Sequence, residues 1–460
     1  MISVFRLHIA TPILVLGIVD ILILYLSIAA GYSISYLDLS LGINTFWSGL
    51  GNGTLYVSAI VLSLIMMGLY QRQFIADTKI TFLRLFASFA SAVFLMSIVF
   101  YIFPQTRIWM SALLPAIVFS LIGVLCARIV FLRVSGTNVF KHRVLVFGAG
   151  KQAQEVEALE ARGAFRCIGF LPVDGADISV DHGRVLRYDT SLTDFVKAQD
   201  VDEVVVALQE RRGRVPSEDL LACRMEGVRI SDFWTFMERQ KGEVELDALN
   251  PSWMIFAEGF SSRLGTQRIV KRVFDIVASV LLLLFSLPVT LAAAAAVYLQ
   301  DRGPVFYRQE RVGLYGESFF LFKFRSMRVD AEKDGVARWA AANDSRVTPV
   351  GAFIRMARID EIPQIINVLR GEMSFIGPRP ERPIIVSELI EAIPYYGYRD
   401  TVKPGITGWA QVNYPYGASV EDAKQKLKLD LYYIKNYSLM LDCLILLLTV
   451  RVVLWPQGVR

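Results

Sequence analysis

Four long apolar stretches, separated by short polar loops, occupy the first 140 positions of the chain. They cover residues 12–32, 54–70, 81–103 and 109–132. Each is near the roughly 20 residues that a helix needs to cross a bilayer. Beyond Asp20 and Arg84, which we place toward the ends of their stretches, no Asp, Glu or Lys interrupts them. The pattern predicts a bundle of four transmembrane helices over residues 1–140, which anchors the chain and carries no transport site.

A fifth apolar stretch, residues 273–299, has Pro288 near its middle, two residues after Ser286. Proline removes one helix hydrogen bond and clashes with the preceding turn, so a kink is expected. Basic residues flank both ends of the stretch: Lys271, Arg272, Arg302, Arg308 and Arg311. Because positive charge favours the cytoplasmic side, two interpretations remain open. One is a re-entrant helix that enters one leaflet and returns, and the other is an ordinary kinked transmembrane helix.

Basic residues in the short loops also predict the orientation of the N-terminal bundle. The segments before the first stretch, between the second and third, and after the fourth carry Arg6, Arg72, Lys79, Arg133, Lys141 and Arg143. The other two loops contain Arg107 alone. We therefore expect both ends of the bundle to face the cytoplasm.

Residues 141–262 alternate between strand-like and helix-like patterns, which predicts a soluble α/β domain with a parallel, Rossmann-like sheet. "RVLVFGAG" is a buried strand that ends in a glycine turn. Gly148 and Gly150 fit the GxGxxA spacing of a nucleotide-binding turn, and Asp174 follows where a ribose-binding acid is expected. The chain contains no YxxxK pair of the kind that a nucleotide-sugar epimerase would use. We therefore favour a retained scaffold in which the glycines only form the turn.

The amino-acid composition excludes several classes of protein and several kinds of site. The chain has 460 residues, is 54% hydrophobic and has a mean hydropathy of +0.44, which is too apolar for an ordinary soluble protein. A net charge of +5 does not suggest nucleic acid as a partner. The four cysteines form no CxxC pair, so neither a zinc site nor a disulfide framework is indicated. All three histidines lie in the first half, so chemistry in the second half depends on carboxylates, lysines and arginines.

Four cations follow the fifth apolar stretch in strand-like segments: Arg308, Arg311, Lys323 and Arg325. Phe322 and Phe324 alternate with Lys323 and Arg325, so the two charges share one face of a strand. Charges grouped in this way suit a polyanion such as a diphosphate. The alternative is a basic surface that faces lipid headgroups.

Asp360 and Glu361 form a carboxylate pair at a predicted helix start, with Arg355 about one turn earlier. A nearby cation keeps a carboxylate ionised. An ionised Asp can attack phosphorus, and a neighbouring carboxylate can hold magnesium, or manganese, against phosphate oxygens. The alternative is that both acids only stabilise the start of a helix.

Five segments of the second half carry long motifs: "GPVFYRQERVG", "FKFRSM", "RIDEIPQIINVLRGEMSFIGPRPE", "VKPGITGWAQVN" and "DLYYIKNYSLMLD". Together they resemble the bacterial sugar transferase family, the polyprenyl-phosphate glycosyl-1-phosphate transferases. The resemblance covers the whole chain, in the arrangement of the large members with four spans and a CoA-binding-like domain. Segments such as "ERPIIVSEL" resemble the exopolysaccharide subgroup associated with exosortase (PEP-CTERM) systems.

The resemblance implies roles for individual residues. Asp360 would be the nucleophile that attacks the sugar-bearing phosphorus of a UDP-sugar, with release of UMP. Polyprenyl phosphate in the inner leaflet would then take the phosphosugar from Asp360. Glu361 would bind the metal, Arg355 matches a family arginine five residues before the nucleophile, and Arg379 would bind phosphate or nucleotide.

The resemblance also implies an α/β catalytic domain over residues 263–460, attached to the inner bacterial membrane on the cytoplasmic side by a re-entrant helix. The family's helix breaks at a Ser-Pro pair, whereas here Leu287 separates Ser286 from Pro288. After "WAQVN" this chain departs from the Gly-Arg that many members carry, with Tyr414, Pro415 and Tyr416. A homodimer is a further expectation.

Two alternative functions remain for the sequence. One is a membrane-tethered, NAD-dependent nucleotide-sugar dehydratase or epimerase that uses the glycine turn. The other is a non-enzymatic assembly protein for polysaccharide export. The sequence does not disclose which sugar would be transferred.

Overall fold

The computed structural model describes residues 2–4, 7–9, 11–70, 78–135, 141–160, 165–173, 177–187, 191–209, 215–249, 265–329, 331, 346–415, 417 and 419–454. Arg6, Arg72, Asp174 and Tyr416, which carry sequence-based expectations, lie outside these residues. Contacts divide the chain into two compact units. The first comprises Met1–Val4 and His8–Glu245, and the second Phe5–Leu7 and Leu246–Arg460.

Apolar helices form the N-terminal part of the first unit. Pro12–Tyr36, Thr81–Ile102 and Met110–Phe131 are each long and apolar enough to cross a membrane. The second predicted span, residues 54–70, corresponds mainly to the helix Leu50–Met66, which a further helix, Leu39–Ser48, joins at an angle of 81°. The described elements are β1 (Ile2–Val4), β2 (Leu7–Ile9), α1 (Thr11–Tyr36), α2 (Leu39–Ser48), α3 (Leu50–Met66), α4 (Thr78–Ile102) and α5 (Met110–Ser135).

A helix cap and a glycine explain why the structure has the additional helix α2 and a bend before α3. The Asp38 carboxylate accepts hydrogen bonds from the backbone N–H groups of Ser40 at 2.8 Å and Leu41 at 3.2 Å, which caps α2. Gly49 then separates α2 from α3, and glycine is a weak helix former. Hydropathy alone does not register these signals.

A buried ion pair joins α1 to α5. Arg128 Nη2 lies 2.8 Å from Asp20 Oδ2, and the Tyr70 hydroxyl donates to the same carboxylate at 2.7 Å. Both charged side chains are almost fully buried. Charged groups within an apolar bundle persist when they are paired, so this contact stabilises the packing of the two helices.

A parallel four-stranded sheet follows in the same unit, in the order β4-β3-β5-β6. Helices cover both of its faces. Val144 and Val146 of β3 point to one face, and Leu145 and Phe147 point to the other. The α/β domain with a parallel sheet is therefore confirmed. Its elements are β3 (His142–Phe147), α6 (Lys151–Glu160), β4 (Phe165–Leu171), α7 (Leu192–Ala198), β5 (Glu203–Val206), α8 (Ser217–Met225), β6 (Arg229–Asp232) and α9 (Phe233–Lys241).

The glycine turn lies between β3 and α6. Gly148 has a φ of +120°, and a Cβ there would lie 2.3 Å from the carbonyl oxygen of Ala207, so only glycine fits. At Gly150 the nearest atom, the carbonyl oxygen of Asp177, would lie 3.5 Å from a Cβ. Packing therefore explains Gly148 by itself, and a nucleotide-binding role for the two glycines stays a prediction.

One long helix begins the second unit. α10 (Gly265–Asp301) runs without interruption for 37 residues through Ser286 and Pro288, so the helix continues where the sequence predicts a break. The elements that follow are β7 (Phe306–Val312), β8 (Ser318–Phe324), α11 (Pro349–Met356), α12 (Ile365–Arg370), β9 (Ser374–Ile376), α13 (Pro383–Ala392), β10 (Gly405–Thr407), α14 (Trp409–Asn413), α15 (Val420–Lys435) and α16 (Leu439–Leu454).

Both ends of α10 contact the elements that follow it. Near its start, Lys271 Nζ donates to Asp442 of α16 at 2.8 Å. At its end, Asp301 accepts a hydrogen bond from Arg325, which follows β8. Within the apolar window of the helix only 11% of residues are buried, so the middle of α10 presents an uncovered apolar surface.

Candidate active site

A cavity of about 910 Å³ opens in the second unit. Its walls combine many charged side chains with apolar ones, and both members of the carboxylate pair lie on it. Among the described residues, eleven cationic side chains line it: Arg311, Lys323, Arg325, Arg328, Arg346, Arg355, Arg358, Arg379, Arg382, Arg399 and Lys426. A concave site with this charge is suited to a polyanionic ligand.

The carboxylate pair lies on a tight turn between two helices. Thr348 caps the start of α11, because its side chain accepts from the Gly351 N–H at 2.9 Å, and the helix ends at Met356. Arg358 then adopts the left-handed conformation with a φ of +58°, and a 3₁₀ turn over Ile359–Gln364 carries both acids. Non-glycine residues in this conformation are strained and often occur at functional sites.

Glu361 holds the cations around the pair. Lys323 Nζ lies 3.0 Å and Arg379 Nη2 lies 2.9 Å from Glu361 Oε1, and Arg358 Nη1 lies 4.0 Å from Glu361 Oε2. Among the described residues, the ion pairs of the carboxylate pair fall on Glu361 and leave Asp360 without one. The Asp360 carboxylate is therefore available to a ligand in the cavity.

The surroundings separate the acidities of the two carboxyl groups. Burial raises the pKa of Asp360, and the charge of Glu361 adds to the rise, while Lys323 and Arg355 oppose it. Burial also acts to raise the pKa of Glu361, but Lys323 and Arg379 outweigh it and hold that pKa well below its usual range. Neighbouring carboxyl groups with separated pKa values take different roles in a reaction. The carboxyl group of Asp360 is therefore the more basic of the two.

A β-hairpin brings Lys323 to the pair. β7 and β8 pair antiparallel, with Tyr307 opposite Lys323. The Asn367 side chain supports the hairpin, because its Oδ1 accepts from the Phe322 N–H at 3.0 Å and its Nδ2 donates to the Phe320 carbonyl at 2.7 Å. Burial lowers the pKa of Lys323, and Glu361 opposes this shift.

The Gly377-Pro378-Arg379-Pro380 loop supplies the second cation on Glu361. The strand β9, which pairs parallel to β10, leads directly into this loop. The loop is attached at both ends, because the Gly377 N–H donates to the Thr407 carbonyl at 2.9 Å and Arg311 Nη1 donates to the Pro380 carbonyl at 3.1 Å. Arg311 therefore supports the loop as well as facing the cavity.

The remaining predicted residues divide between the cavity and its surroundings. Arg355 and Arg325 line the cavity, and Arg325 is bound to Asp301. Arg308 lies elsewhere, since its guanidinium stacks over the Phe322 ring at 5.0 Å and it is exposed. The structure thus collects Arg311, Lys323, Arg325, Arg355 and Arg379 but not Arg308, because alternate residues of β7 face opposite sides. Ser286 and Pro288 lie on α10, and neither lines the cavity.

Residues 266–456 match the family model for bacterial sugar transferase. The chain is 41% identical over 241 residues to a UDP-N-acetylgalactosamine-undecaprenyl-phosphate N-acetylgalactosaminephosphotransferase of Aeromonas hydrophila. This alignment covers 52% of this chain and 56% of that protein. The chain is also 34% identical over 331 residues to an undecaprenyl-phosphate glucose phosphotransferase of Komagataeibacter xylinus. This second alignment covers 68% of this chain and 59% of that protein.

A shorter relative decides the family. An uncharacterized sugar transferase of Bacillus subtilis is 40% identical over 196 residues, and the alignment covers 91% of that protein. The chain belongs to the bacterial sugar transferase family. The predicted membership is thereby confirmed, whereas the exosortase-associated subgroup stays a prediction. The chain spans less than two thirds of the first two relatives, 56% and 59% of their lengths.

The cavity of this bacterial sugar transferase also contains charged residues that the sequence alone does not single out. Glu381 follows the Gly-Pro-Arg-Pro loop, and Asp430 and Lys426 come from α15. Asp430 is only 3% exposed, and burial raises its pKa to about 6. Its position within the otherwise apolar and aromatic "DLYYI" was the available signal, because a charge in such a run is either at the surface or paired in the interior.

The oxygen donors of the site suit a hard divalent cation. The described residues contain no group of three or more His, Cys, Asp or Glu side chains placed to hold an ion. Magnesium keeps several waters and is bound through one or two carboxylates together with substrate phosphates. Glu361, with its carboxylate on the cavity wall, fits that mode, and manganese accepts the same oxygen ligands.

Proposed function

We propose that the chain transfers a sugar 1-phosphate from a UDP-sugar to polyprenyl (undecaprenyl) phosphate and releases UMP. The observation that supports this most directly is that the two adjacent carboxylates in the cation-lined cavity have different partners. Glu361 binds Lys323 and Arg379, and the more basic Asp360 faces the cavity without an ion pair among the described residues. Relatives named as transferring sugar phosphates to undecaprenyl phosphate support the same reaction.

The reaction proceeds in two displacements at one phosphorus atom. An Asp360 carboxylate oxygen attacks the sugar-bearing phosphorus, and the bond from that phosphorus to the oxygen of UMP breaks. Polyprenyl phosphate then attacks the same phosphorus, and the bond to Asp360 breaks, which restores the carboxylate. A covalent intermediate lets a soluble nucleotide and a membrane lipid visit one site in turn. One diphosphate bond replaces another, so no ATP is needed.

Cations supplied by the chain stabilise the charge that develops during each displacement. Lys323 and Arg379 converge on Glu361, within reach of a phosphate bound beside Asp360. Arg355 lines the same cavity and favours the ionised form of Asp360. Fixed donors in a site that excludes water stabilise developing charge strongly. Magnesium bound to Glu361 would neutralise charge on the diphosphate oxygens.

The contacts of α10 support a re-entrant attachment to the inner membrane with the site facing the cytoplasm. Lys271 near its start and Asp301 at its end both bind elements of the same unit, and a re-entrant attachment keeps both ends on one side of the bilayer. The exposed apolar middle would then lie in the near leaflet. Leu282 of α10 and Leu446 and Val450 of α16 line the cavity, which offers the lipid acceptor an apolar approach.

The wider role follows from the family resemblance. We assign the reaction to the first membrane step of exopolysaccharide synthesis, with the four-span region and the Rossmann-like domain as its N-terminal partners and a homodimer as the assembly. Nucleotide sugars are cytoplasmic, so the cytoplasmic orientation is a requirement of the proposed donor.

The test of the proposed function offers a panel of UDP-sugars with polyprenyl phosphate and magnesium to the purified full-length protein. We expect UMP release with at least one sugar, dependent on the lipid for continued turnover. No UMP release with any sugar would refute the transferase. Bound nicotinamide in the purified protein would instead favour the dehydratase or epimerase alternative.

Replacing Glu361 by glutamine is expected to lower kcat/KM about 100-fold and to shift the magnesium dependence to higher concentration. The amide keeps the shape of the side chain but loses the charge that binds Lys323, Arg379 and the metal. Magnesium titrations of UMP release by both proteins measure the shift. An unchanged magnesium midpoint would contradict the assignment of the metal to Glu361.

A further inference from the structure

Arg399 and its neighbours form a buried polar cluster next to the Gly-Pro-Arg-Pro loop. Arg399 is 6% exposed, and its Nη2 donates to the carbonyl oxygen of Arg379 at 2.7 Å. Its Nη1 donates to the Tyr396 hydroxyl at 2.6 Å, and the Asp430 Oδ2 lies 3.1 Å from its Nη2. The cluster touches the backbone of Arg379 rather than its guanidinium, which reaches Glu361.

The loop depends on its carbonyl groups for attachment. Pro378 and Pro380 have no N–H to donate, so a carbonyl acceptor is the backbone group with which each can be held. Successive carbonyls of Pro378, Arg379, Pro380 and Glu381 accept hydrogen bonds from other described segments of the chain. The donors are the Gly405 N–H at 2.9 Å, Arg399, Arg311 and the Val312 N–H at 3.0 Å.

We propose that Arg399, Asp430 and Tyr396 act as a positioning unit that fixes the backbone of Arg379 and thereby aims its guanidinium at the phosphate-binding region. Two of the four donors to these carbonyls are the backbone N–H groups of Val312 and Gly405, which lie in strands and are fixed by the fold. The two arginines are long side chains and need partners of their own. The positioning unit supplies those partners for Arg399. This inference rests on the proposed function, because Arg379 is taken to bind the donor phosphate.

The burial of the cluster explains why each member is needed. A buried guanidinium has five N–H donors and no acceptor, and leaving it unpaired is costly. Asp430, at 3% exposure, supplies the opposite charge, and the Tyr396 hydroxyl takes a donor on the other terminal nitrogen. Lysine at position 399 keeps the charge but offers no planar fork, so it cannot hold the carbonyl and both side chains together.

The first experiment measures the loop itself, without any ligand. Hydrogen exchange of the full-length protein is compared for wild type, Arg399→Lys, Tyr396→Phe and the control Glu421→Gln. Glu421 lies on α15 with Asp430, but it is 67% exposed and pairs with Lys424 at the surface. We expect Arg399→Lys to accelerate exchange at the amides of Val312, Gly377 and Gly405 by about 10-fold or more. Tyr396→Phe should accelerate exchange at the same amides by a smaller factor. The control Glu421→Gln should leave these exchange rates unchanged.

The second experiment measures coupling between Arg399 and Arg379 in UMP release. Arg379→Ala is made in wild type and in Arg399→Lys, with kcat and KM for the donor measured per folded enzyme. We expect Arg399→Lys alone to lower kcat/KM about 30-fold, since small displacements of a positioned group are costly. Arg379→Ala should then cost at least about 5-fold less in the variant than in wild type, because residues that act as a unit are not additive.

The outcomes separate the two proposals. Unchanged hydrogen exchange at the three amides, or faster exchange spread over the whole unit, would overturn the positioning role. So would a double variant whose loss of kcat/KM equals the product of the losses caused by Arg399→Lys and Arg379→Ala alone. A wild-type protein that releases no UMP would refute the transferase. Faster exchange confined to the loop would still support the positioning unit in that case.

Discussion

Replacing Asp360 by asparagine is expected to lower UMP release by at least about 1,000-fold, the scale seen when a covalent nucleophile is removed. The amide has nearly the same shape but no charge and little nucleophilicity, so the first displacement fails before the lipid takes part. Initial rates of UMP release, with protein melting measured alongside, quantify the loss.

The control for this variant is Glu388→Gln, which makes the same carboxylate-to-amide change at an exposed position of α13 outside the cavity lining. It should retain wild-type rates. Mass spectrometry of wild-type enzyme quenched with donor alone should show a phosphosugar on the peptide that carries Asp360, and the asparagine variant should show none. Turnover by Asp360→Asn at a rate near wild type would exclude a covalent role.

The same side chain predicts the acid limb of the pH profile. Burial raises the pKa of Asp360 above the ordinary value of 3.8, and only the ionised form attacks phosphorus. Activity should therefore fall, as pH is lowered, at a higher pH than a solvent-exposed aspartate would give. Glu361, with its lowered pKa, stays ionised through this range.

Replacing Lys323 by methionine is expected to lower kcat/KM by about 100- to 1,000-fold, comparable with the loss of a preorganised charged donor. Lys323 is the cation that most strongly affects both carboxyl groups, and it lies 3.0 Å from Glu361. Without it, part of the phosphate charge is unopposed and the pKa of Asp360 rises further. A shift of the acid limb to higher pH should accompany the loss of rate.

Stability should also fall in this variant, because removing one partner leaves the buried Glu361 with less compensation, at a cost on the order of 3 kcal/mol. Lys424→Met is the matched control, since Lys424 pairs with Glu421 at the surface, 3.7 Å away and 40% exposed. It should change neither rate nor stability measurably. An unchanged pH profile in Lys323→Met would contradict the electrostatic role given to this lysine.

Periodicity and motif spacing were sufficient for the coarse organisation. The apolar runs at 12–32, 81–103 and 109–132 correspond to helices that can span a membrane, because length and hydropathy are local properties. The parallel sheet after residue 141 follows from alternating strands and helices in the same way. The bend between α2 and α3 was missed, since the Asp38 cap and Gly49 act at single positions that an average over the run conceals.

The sequence alone determined that the chain is a membrane-associated member of the bacterial sugar transferase family and that Asp360 and Glu361 are its candidate acids, because motifs and hydropathy are properties of neighbouring residues. Only the tertiary structure decided which cations lie next to each of the two acids. Lys323, Arg379 and Glu361 come from three distant segments, and the separation of the two pKa values arises only where those segments meet. The contacts of Arg399 with Asp430 and with the Arg379 carbonyl depend in the same way on folding, because no local pattern encodes a hydrogen bond between residues 20 or more positions apart.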